Sequence, residues 1–149
     1  SIVDGLLRID EVVKAAAKVA QSVWSITDRA NLFGMVKFYK AARGKGVKPI
    51  AGCDVWITND DDRDKPSRLL LLVKNRVGYL QLCELLSKAW LTNLHRGRAE
   101  IRAEWLEELQ GSGQPAGLIA LSGAHFGDAG MAIDNGNPAL AERCATRWA

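Results

Sequence analysis

The sequence lacks any long hydrophobic run. Its longest unbroken apolar stretch is residues 69–73, far below the roughly 20 residues that a membrane-spanning helix needs. No lysine-led apolar stretch opens the chain, so nothing resembles a secretory signal peptide. We therefore expect a protein that neither spans a membrane nor carries a visible secretion signal.

Cysteine is scarce, and its spacing excludes two classes of site. The three cysteines, Cys53, Cys83 and Cys144, are far apart and form no CxxC pair, which leaves no support for a zinc ribbon or a thioredoxin-type redox site. Their odd number and apolar neighbours are typical of reduced, buried thiols. We expect a cytoplasmic location.

Strong charge of one sign and the common catalytic motifs are also absent. The net charge is only +3, with a pI near 8.9, and both signs are mixed along the chain, so charge alone does not indicate nucleic-acid binding. There is no GxSxG, GxxxxGK[ST], GxGxxG or HExxH motif. A basic loop at Arg96 and Arg98 could contact DNA phosphates, but it contains no interleaved stacking aromatics.

What is present is a globular composition with alternating helix and strand patterns. The 149 residues, 48% hydrophobic and 25% charged, suffice for one domain. Helical spacing predicts helices over residues 10–21, from an Asn31 cap to Ala42, over 78–90, over 102–109 and from an Asn137 cap to Trp148. Apolar runs predict strands over 23–27, 49–57, 68–74 and 117–121, with a polar hairpin tip at 59–66, a polar connection at 92–98 and a flexible connection at 111–115.

Strands that read as continuous apolar runs between amphipathic helices indicate parallel βαβ units, so we predict an α/β fold. In such folds functional side chains follow the carboxyl ends of strands. Asp28 directly follows a strand, where it could bind a metal or simply cap the next helix. Asp54 lies inside a strand, where Asp is unfavourable, so it either faces a polar cavity or lies at a bulge. With His125 as a third candidate, these residues are too few for a convincing metal centre.

Five blocks of sequence occur in a recognisable order and spacing. They are SIVDG from Ser1, ITDRANLFGMVKFY from Ile26, GVKPIAGCDV from Gly46, LLLVKNRVGY from Leu70 and LSG from Leu121. Together they resemble the amino-terminal PHP (polymerase and histidinol phosphatase) domain of bacterial replicative DNA polymerase III alpha subunits. The blocks span nearly the whole chain.

The resemblance implies part of a distorted barrel of seven βα units, with parallel strands inside and helices outside. Residues 1–149 would form one partial PHP domain, incomplete at both ends. In relatives a strand bearing a His-x-His pair precedes the segment that matches residues 1–5, and we expect that strand and several later ones to lie outside this chain. An incomplete barrel leaves strand edges unpaired, so we also expect self-association.

The resemblance also implies a vestigial metal site at Asp28 and Asp54. Arg29 stands where relatives often have His, Asp54 where they often have Glu, and Ala124 where some have Cys. Arg and Ala offer no lone pair, and Asp reaches one methylene less far than Glu. We expect no divalent metal in this pocket and no cofactor in this chain. Arg29, a permanent cation, could pair with Asp28 or Asp54 and hold the emptied pocket together.

For function, the resemblance implies a parent protein that is a DNA-directed DNA polymerase, a nucleotidyltransferase that uses Mg²⁺ in a palm domain outside this chain. The present residues would form a non-catalytic scaffold that docks other subunits of the polymerase III holoenzyme, including the proofreading exonuclease, and reaches DNA through the parent. We do not expect the chain alone to polymerise. The alternative is an active metal-dependent phosphoesterase or pyrophosphatase.

Overall fold

A computed structural model describes residues 7–111, 113 and 117–148. The block at residues 1–5 lies outside the described residues, as do residues 112, 114 and 115 of the predicted flexible connection. The helices are α1 (Ile9–Lys18), α2 (Met35–Arg43), α3 (Arg76–Thr92), α4 (Ala103–Gly111), α5 (Asp128–Asp134) and α6 (Pro138–Trp148). The strands are β1 (Val23–Arg29), β2 (Lys48–Ile57), β3 (Ser67–Val73), β4 (Leu94–His95), β5 (Arg98–Ile101) and β6 (Leu118–Ser122), and a 3₁₀ turn covers Ala124–Phe126.

The strands form a sheet that is part parallel and part antiparallel. Strand β2 is central, because β1 runs parallel to its first part, β5 runs parallel to its last two residues, and β3 runs antiparallel along its other edge. Strand β6 adds antiparallel to β3, and β4 pairs antiparallel with β5. The α/β class is confirmed at the level of a mixed sheet with helices. The seven-unit barrel stays a prediction.

The expectation that the strands are parallel is right for two pairs and wrong for three. Residues 58–66 join β2 to β3 without a helix, and a connection this short returns the chain antiparallel, since a parallel crossover needs a dozen or more residues. The hairpin predicted at 59–66 is therefore present, and it conflicts with an all-parallel sheet. Strand β4 lies in the segment predicted as a polar connection at 92–98, and β5 begins at its last residue. Neither strand was predicted, because both are too short to show a strand pattern.

One face of the sheet packs against α1, α2 and α3, and we call it the helix face. Trp24 and Ile26 of β1 pack against a cluster that includes Val13 of α1 and Phe38 of α2. Alternate residues of β2 and β3 pack instead against α3, in a second cluster whose buried members include Cys53, Val55, Leu69, Leu71, Leu82, Leu85 and Leu86. Because side chains alternate along a strand, the residues between them lie on the opposite face.

The predicted helix caps are only partly confirmed. Asn137 Oδ1 accepts from the Leu140 amide at 3.1 Å and caps α6 as expected. Asn31 does not cap α2. It accepts from the Phe33 amide at 3.0 Å in a turn before that helix, and Gly34 is the residue at the helix start. Asp10, expected to cap α1, instead lies within its first turn. Its negative charge still stabilises the helix there, because it interacts favourably with the positive end of the helix dipole.

Two further features bear on the expectations above. In the described ranges no helix is long and apolar enough to cross a bilayer. The cysteines are free thiols, and burial in the core raises the pKa of Cys53 to about 12. A thiol with so high a pKa is a packing group rather than a nucleophile.

Candidate functional site

The register between β1 and β2 decides which predicted site residues meet. Arg29 lies beside Asp54, whereas Asp28 lies beside Cys53. Since neighbouring residues of a strand point to opposite faces, Arg29 and Asp54 share one face and Asp28 lies on the other. The structure therefore does not bring Asp28 and Asp54 together. That both derive from a former metal site stays a prediction.

Asp28 lies on the helix face, where it accepts a hydrogen bond at the start of α2. It is 4% exposed, and its Oδ2 accepts a hydrogen bond from the Gly34 amide at 3.0 Å. Gly34 is the residue immediately before α2, so the carboxylate satisfies an amide at the helix start. Asp28 also lines a cavity of about 640 Å³ between the beginnings of α1 and α2, together with Lys14 and Lys37.

Asp54 is held by a guanidinium. Arg68 on the antiparallel neighbour β3 donates from Nε to Asp54 Oδ1 at 3.1 Å, and its Nη2 contacts Oδ2 of the same carboxylate. Both side chains are about one-fifth exposed. A two-point pair of this kind fixes the carboxylate in position and occupies both of its oxygens.

Trp56 lies two residues beyond Asp54, on the same face, with three guanidinium groups close to its ring. The guanidinium carbons of Arg29, Arg68 and Arg98 are 5.5, 5.4 and 6.0 Å from the ring centroid. Arginine stacks well on aromatic faces because its planar cation is attracted by the ring and is weakly hydrated. The indole therefore gathers side chains from β1, β3 and β5 into one group.

A buried carboxylate, Glu100, completes this group from β5. It pairs in register with Trp56, and its side chain is fully buried. Its Oε2 lies 3.2 Å from Arg63 Nη2, and its Oε1 lies 3.4 Å from Arg98 Nε. The Arg63 carbonyl oxygen accepts from Arg98 Nη2 at 2.9 Å. Two arginines thus satisfy an anion that would otherwise be costly to bury.

We call these residues the arginine cluster, and the face that bears them the arginine face. The cluster comprises Trp56, four cations and two carboxylates: Arg29, Arg63, Arg68, Arg98, Asp54 and Glu100. At neutral pH its formal charge is +2 among the described residues. A third carboxylate nearby, Asp64, is engaged by His95 at 3.0 Å and Arg96 at 3.0 Å. The loop suggested for DNA contact therefore has both of its arginines in ion pairs within the chain.

Ala124 lies at one border of this face. It begins the 3₁₀ turn after β6, is exposed, and has a positive φ of 49°. The turn lies close to β3, since a Cβ on Gly123 would be 2.5 Å from the Arg68 carbonyl oxygen. Phe126 places its ring 5.4 Å from the Arg68 guanidinium carbon. His125 is exposed, and its ring lies 3.9 Å from the ring of Phe126.

Few side chains in this arrangement could act as metal ligands. Across residues 7–111, 113 and 117–148, no group of three His, Cys, Asp or Glu side chains is placed to hold a metal ion. Asp54 is the one predicted donor on the arginine face, and its oxygens face Arg68. Guanidinium groups repel cations and offer no lone pair, so the residues around Asp54 do not fit a divalent metal, and the absence of a metal in this protein stays a prediction.

Ala30 fixes the end of β1 next to Arg29. Its φ is +52°, its amide donates to the Asp54 carbonyl oxygen at 2.8 Å, and its own carbonyl accepts from Trp90 Nε1 of α3 at 2.8 Å. A left-handed conformation costs a non-glycine residue about 1–2 kcal/mol. These two hydrogen bonds hold the conformation and thereby set the direction in which Arg29 leaves the strand.

The sequence reasoning missed most of the arginine cluster. Trp56 and Arg68 face each other across the β2–β3 hairpin, and Trp56 stands two residues from Asp54, so the period of a strand could have linked those two. No local pattern links Arg63 to Glu100, because their loop and strand meet only through tertiary pairing. A charged residue at an inward strand position is the pattern that could have drawn attention to Glu100.

Comparison with known proteins finds a family and relatives that match the full sequence. The PHP domain family matches residues 1–149. The chain is 44% identical over 152 residues to DNA polymerase III subunit alpha of Neisseria meningitidis, which covers 100% of the chain and 13% of that protein. It is 40% identical over 144 residues to DNA polymerase III subunit alpha of Escherichia coli K12, covering 97% of the chain and 12% of that protein. The chain thus spans about an eighth of the length of these relatives.

Among solved structures, an amidohydrolase from Chromobacterium violaceum with bound sulfate and no metal aligns at a TM-score of 0.46 and 22% identity. That alignment covers 95% of the chain and 43% of the amidohydrolase.

Proposed function

The chain belongs to the PHP domain family, and we propose that it is the non-catalytic scaffold and interaction portion of a replicative DNA polymerase III alpha subunit. Its identity of 39–44% to subunits of that name, over nearly its entire length, supports the assignment to a replication polymerase. The proposal concerns what this portion contributes, since it covers only about an eighth of those proteins.

The observation that carries the non-catalytic role is the state of Asp54. This carboxylate stands at a position where the family resemblance implies a metal ligand, yet both of its oxygens contact Arg68. Its neighbour across the sheet is Arg29 rather than a donor side chain, and Ala124 has no donor atom. A hydrolase needs an ion or a base at this position to activate water, and a guanidinium can serve as neither.

The remainder of the proposed function concerns the parent protein. We assign it DNA-directed DNA polymerase activity that requires Mg²⁺ bound outside this chain, with DNA and the other holoenzyme subunits, including the proofreading exonuclease, as partners. Self-association of the isolated chain and a cytoplasmic location also remain predictions. The apolar residues Ile119 and Leu121, 46% and 44% exposed on β6, support a surface at which another polypeptide packs.

The test is metal content and hydrolysis in the full-length parent. The protein is stripped with chelator, offered Zn²⁺ or Mn²⁺, dialysed and analysed by elemental mass spectrometry, and then assayed on a generic phosphodiester. We expect no zinc or manganese bound in a manner that depends on Asp54, and no hydrolysis. Arg29→His should not restore binding, because Arg68 still holds Asp54.

The opposite outcome defines the alternative. Stoichiometric metal together with hydrolysis that both disappear in Asp54→Asn would establish an active phosphoesterase. Asp28→Asn is the matched comparison, because it makes the same chemical change on the helix face. Metal lost in Asp28→Asn but retained in Asp54→Asn would place a site on the wrong face for this proposal and would equally overturn it.

A further inference from the structure

The lysines and arginines of the chain are unevenly distributed. Residues 12–53 contain eight of them but only one acidic residue, Asp28, and that residue is 4% exposed. Most acidic residues come after residue 53, so the mixing of signs noted for the whole chain does not hold in this stretch. The net charge of +3 therefore hides a strongly basic region.

The fold gathers six cations at one edge of the sheet, which we call the basic edge. Strands β1 and β2 run parallel and start side by side, with Val23 next to Lys48, and the Lys48 amide donates to the Ser22 carbonyl oxygen at 2.8 Å. Strand β3 runs antiparallel to β2 and therefore ends at the same edge. This edge lies at the opposite end of β1 from Arg29. Its exposed cations are Lys18, Arg43, Lys45, Lys48, Lys74 and Arg76.

The cations of the basic edge are not neutralised by the chain itself. Within the described part of the chain, none of these six side chains is in an ion pair. Exposed cations elsewhere are paired, as Lys65 is with Asp62 and Arg96 is with Asp64. Six like charges at one edge repel one another and create a positive potential there. A negatively charged partner outside the chain would relieve this repulsion.

Interaction with helix dipoles explains only part of the arrangement. Lys18 and Arg43 lie in the last turns of α1 and α2, where a cation stabilises a helix. Three of the other four cations lie outside the helices. Arg76 begins α3, where a cation faces the positive end of the dipole and is unfavourable. The stability of the chain alone therefore does not account for these four positive charges.

We propose that the basic edge binds the phosphate backbone of double-stranded DNA. This inference rests on the proposed function, which assigns DNA to the parent as a partner, and deepens it by giving this chain its own contact with DNA. A duplex presents closely spaced phosphates, and lysine and arginine side chains bind them without reading the base sequence. The basic edge thus contributes affinity and orientation, and no sequence specificity.

The composition of the basic edge favours a duplex over a single strand or an acidic protein. Sites for single strands combine cations with aromatic side chains on which the bases stack. Segments 43–48 and 74–76, which carry five of the six cations, contain no aromatic residue. Protein interfaces are enriched in aromatic residues and depleted in lysine, whereas four of these six cations are lysines.

The experiment measures the affinity of the full-length parent for a blunt-ended duplex by fluorescence anisotropy, over a range of salt concentrations. The variant combines Arg43→Gln, Lys45→Gln and Lys48→Gln. We expect its affinity at low salt to fall on the order of tenfold or more, because three phosphate contacts are lost. The slope of log affinity against log salt should become shallower by about 2–3, since each contact contributes about 0.9 to that slope.

The matched control combines Lys65→Gln, Lys88→Gln and Arg96→Gln. It also removes one arginine and two lysines, but these cations are in ion pairs within the chain and lie away from the basic edge. Affinity and slope should stay as in the wild type. Equal losses in both variants would indicate a general charge effect and would overturn the proposal. Circular dichroism checks that both variants remain folded.

A crosslinking experiment in the assembled holoenzyme identifies what touches the basic edge. Photoreactive benzoylphenylalanine in place of Lys45 should form a covalent adduct with a labelled duplex, and the same group in place of Lys65 should not. An adduct with another protein subunit in place of DNA would make this edge a protein-docking surface and overturn the proposal.

Primer extension separates this inference from the proposed function. If the parent extends a primer but the basic-edge variant binds the duplex with wild-type affinity and slope, the inference is wrong and the polymerase assignment stands. If the wild-type parent neither extends a primer nor binds the duplex, both are wrong. A variant that loses affinity for a single strand and keeps it for the duplex would also overturn the proposal.

Discussion

The two faces of the sheet are built from the same strands but differ in nearly every physical respect. On β2, Cys53, Val55 and Ile57 are buried in the aliphatic cluster under α3. The alternate residues Asp54 and Trp56 lie among arginines. The helix face gains its stability from close packing, whereas the arginine face is rich in groups that recognise charge. A one-residue shift of register would exchange these properties, so the pairing of β1 with β2 determines the site.

The largest expected effect comes from a cavity on the helix face. Leu82 of α3 is 0% exposed, and Leu82→Ala should lower the free energy of unfolding by about 2–5 kcal/mol, because the lost side chain leaves a void that the core only partly fills. Leu121→Ala, which removes the same atoms from a residue 44% exposed on β6, should cost less than about 1 kcal/mol. Urea unfolding followed by fluorescence measures both. Equal losses would contradict the placement of Leu82 in a close-packed core.

An intermediate effect is expected from the buried carboxylate of the arginine cluster. Glu100→Gln removes the charge that satisfies Arg63 and Arg98, and we expect a loss of about 1–3 kcal/mol. Glu104→Gln is the matched control, since that side chain is 56% exposed beside Arg102 and such pairs contribute about 0–1 kcal/mol. The same urea experiment decides. If the two variants unfold alike, Glu100 is not a structural part of the cluster.

The smallest effect concerns the loop that borders the arginine face. The hydrogen bond from His95, together with the charge of Arg96, holds the pKa of Asp64 below its usual 3.8. A lowered folded-state pKa stabilises the fold above the unfolded value, and this contribution is lost as the pH falls below 3.8. The difference in melting temperature between wild type and Asp64→Asn should therefore shrink from pH 6 towards pH 3. A difference in melting temperature that grows on acidification would contradict a lowered pKa of Asp64 and its pairing with His95 and Arg96.

Much of the fold could be predicted because its signals are local. The spacing of Leu82, Leu85 and Leu86 predicts α3, and the apolar run at 69–73 predicts β3. Strand β5, in contrast, is four residues long with two charged side chains, and it exists because β2 and β4 supply hydrogen bonds on both of its edges. The predicted strand direction was wrong for three pairs. The reason is that the alternation of helices and strands, on which the prediction rests, holds only for the parallel part of the sheet.

The candidate site was harder to predict, and the reason is again register. Asp28 and Asp54 both follow or occupy predicted strands, and each looks like a site residue in isolation. Whether two such residues share a face depends on the offset between their strands, which no local pattern encodes. The arginines could not be assigned for a related reason. An arginine that pairs with a distant carboxylate has the same sequence appearance as one that points into water.

The conformation of Ala30 links the two sides of the sheet mechanically. Its strained backbone is held by Trp90 from the helical layer and by the main chain of β2, so a displacement of α3 would pull on the residue adjoining Arg29. A partner that docked against α3 could in this way alter the geometry around Trp56 without touching it. Conversely, a ligand that immobilised Arg29 would stiffen the junction between α3 and β1. Coupling of this kind needs only one tryptophan hydrogen bond, and Trp90→Phe would sever it while keeping an aromatic ring in place.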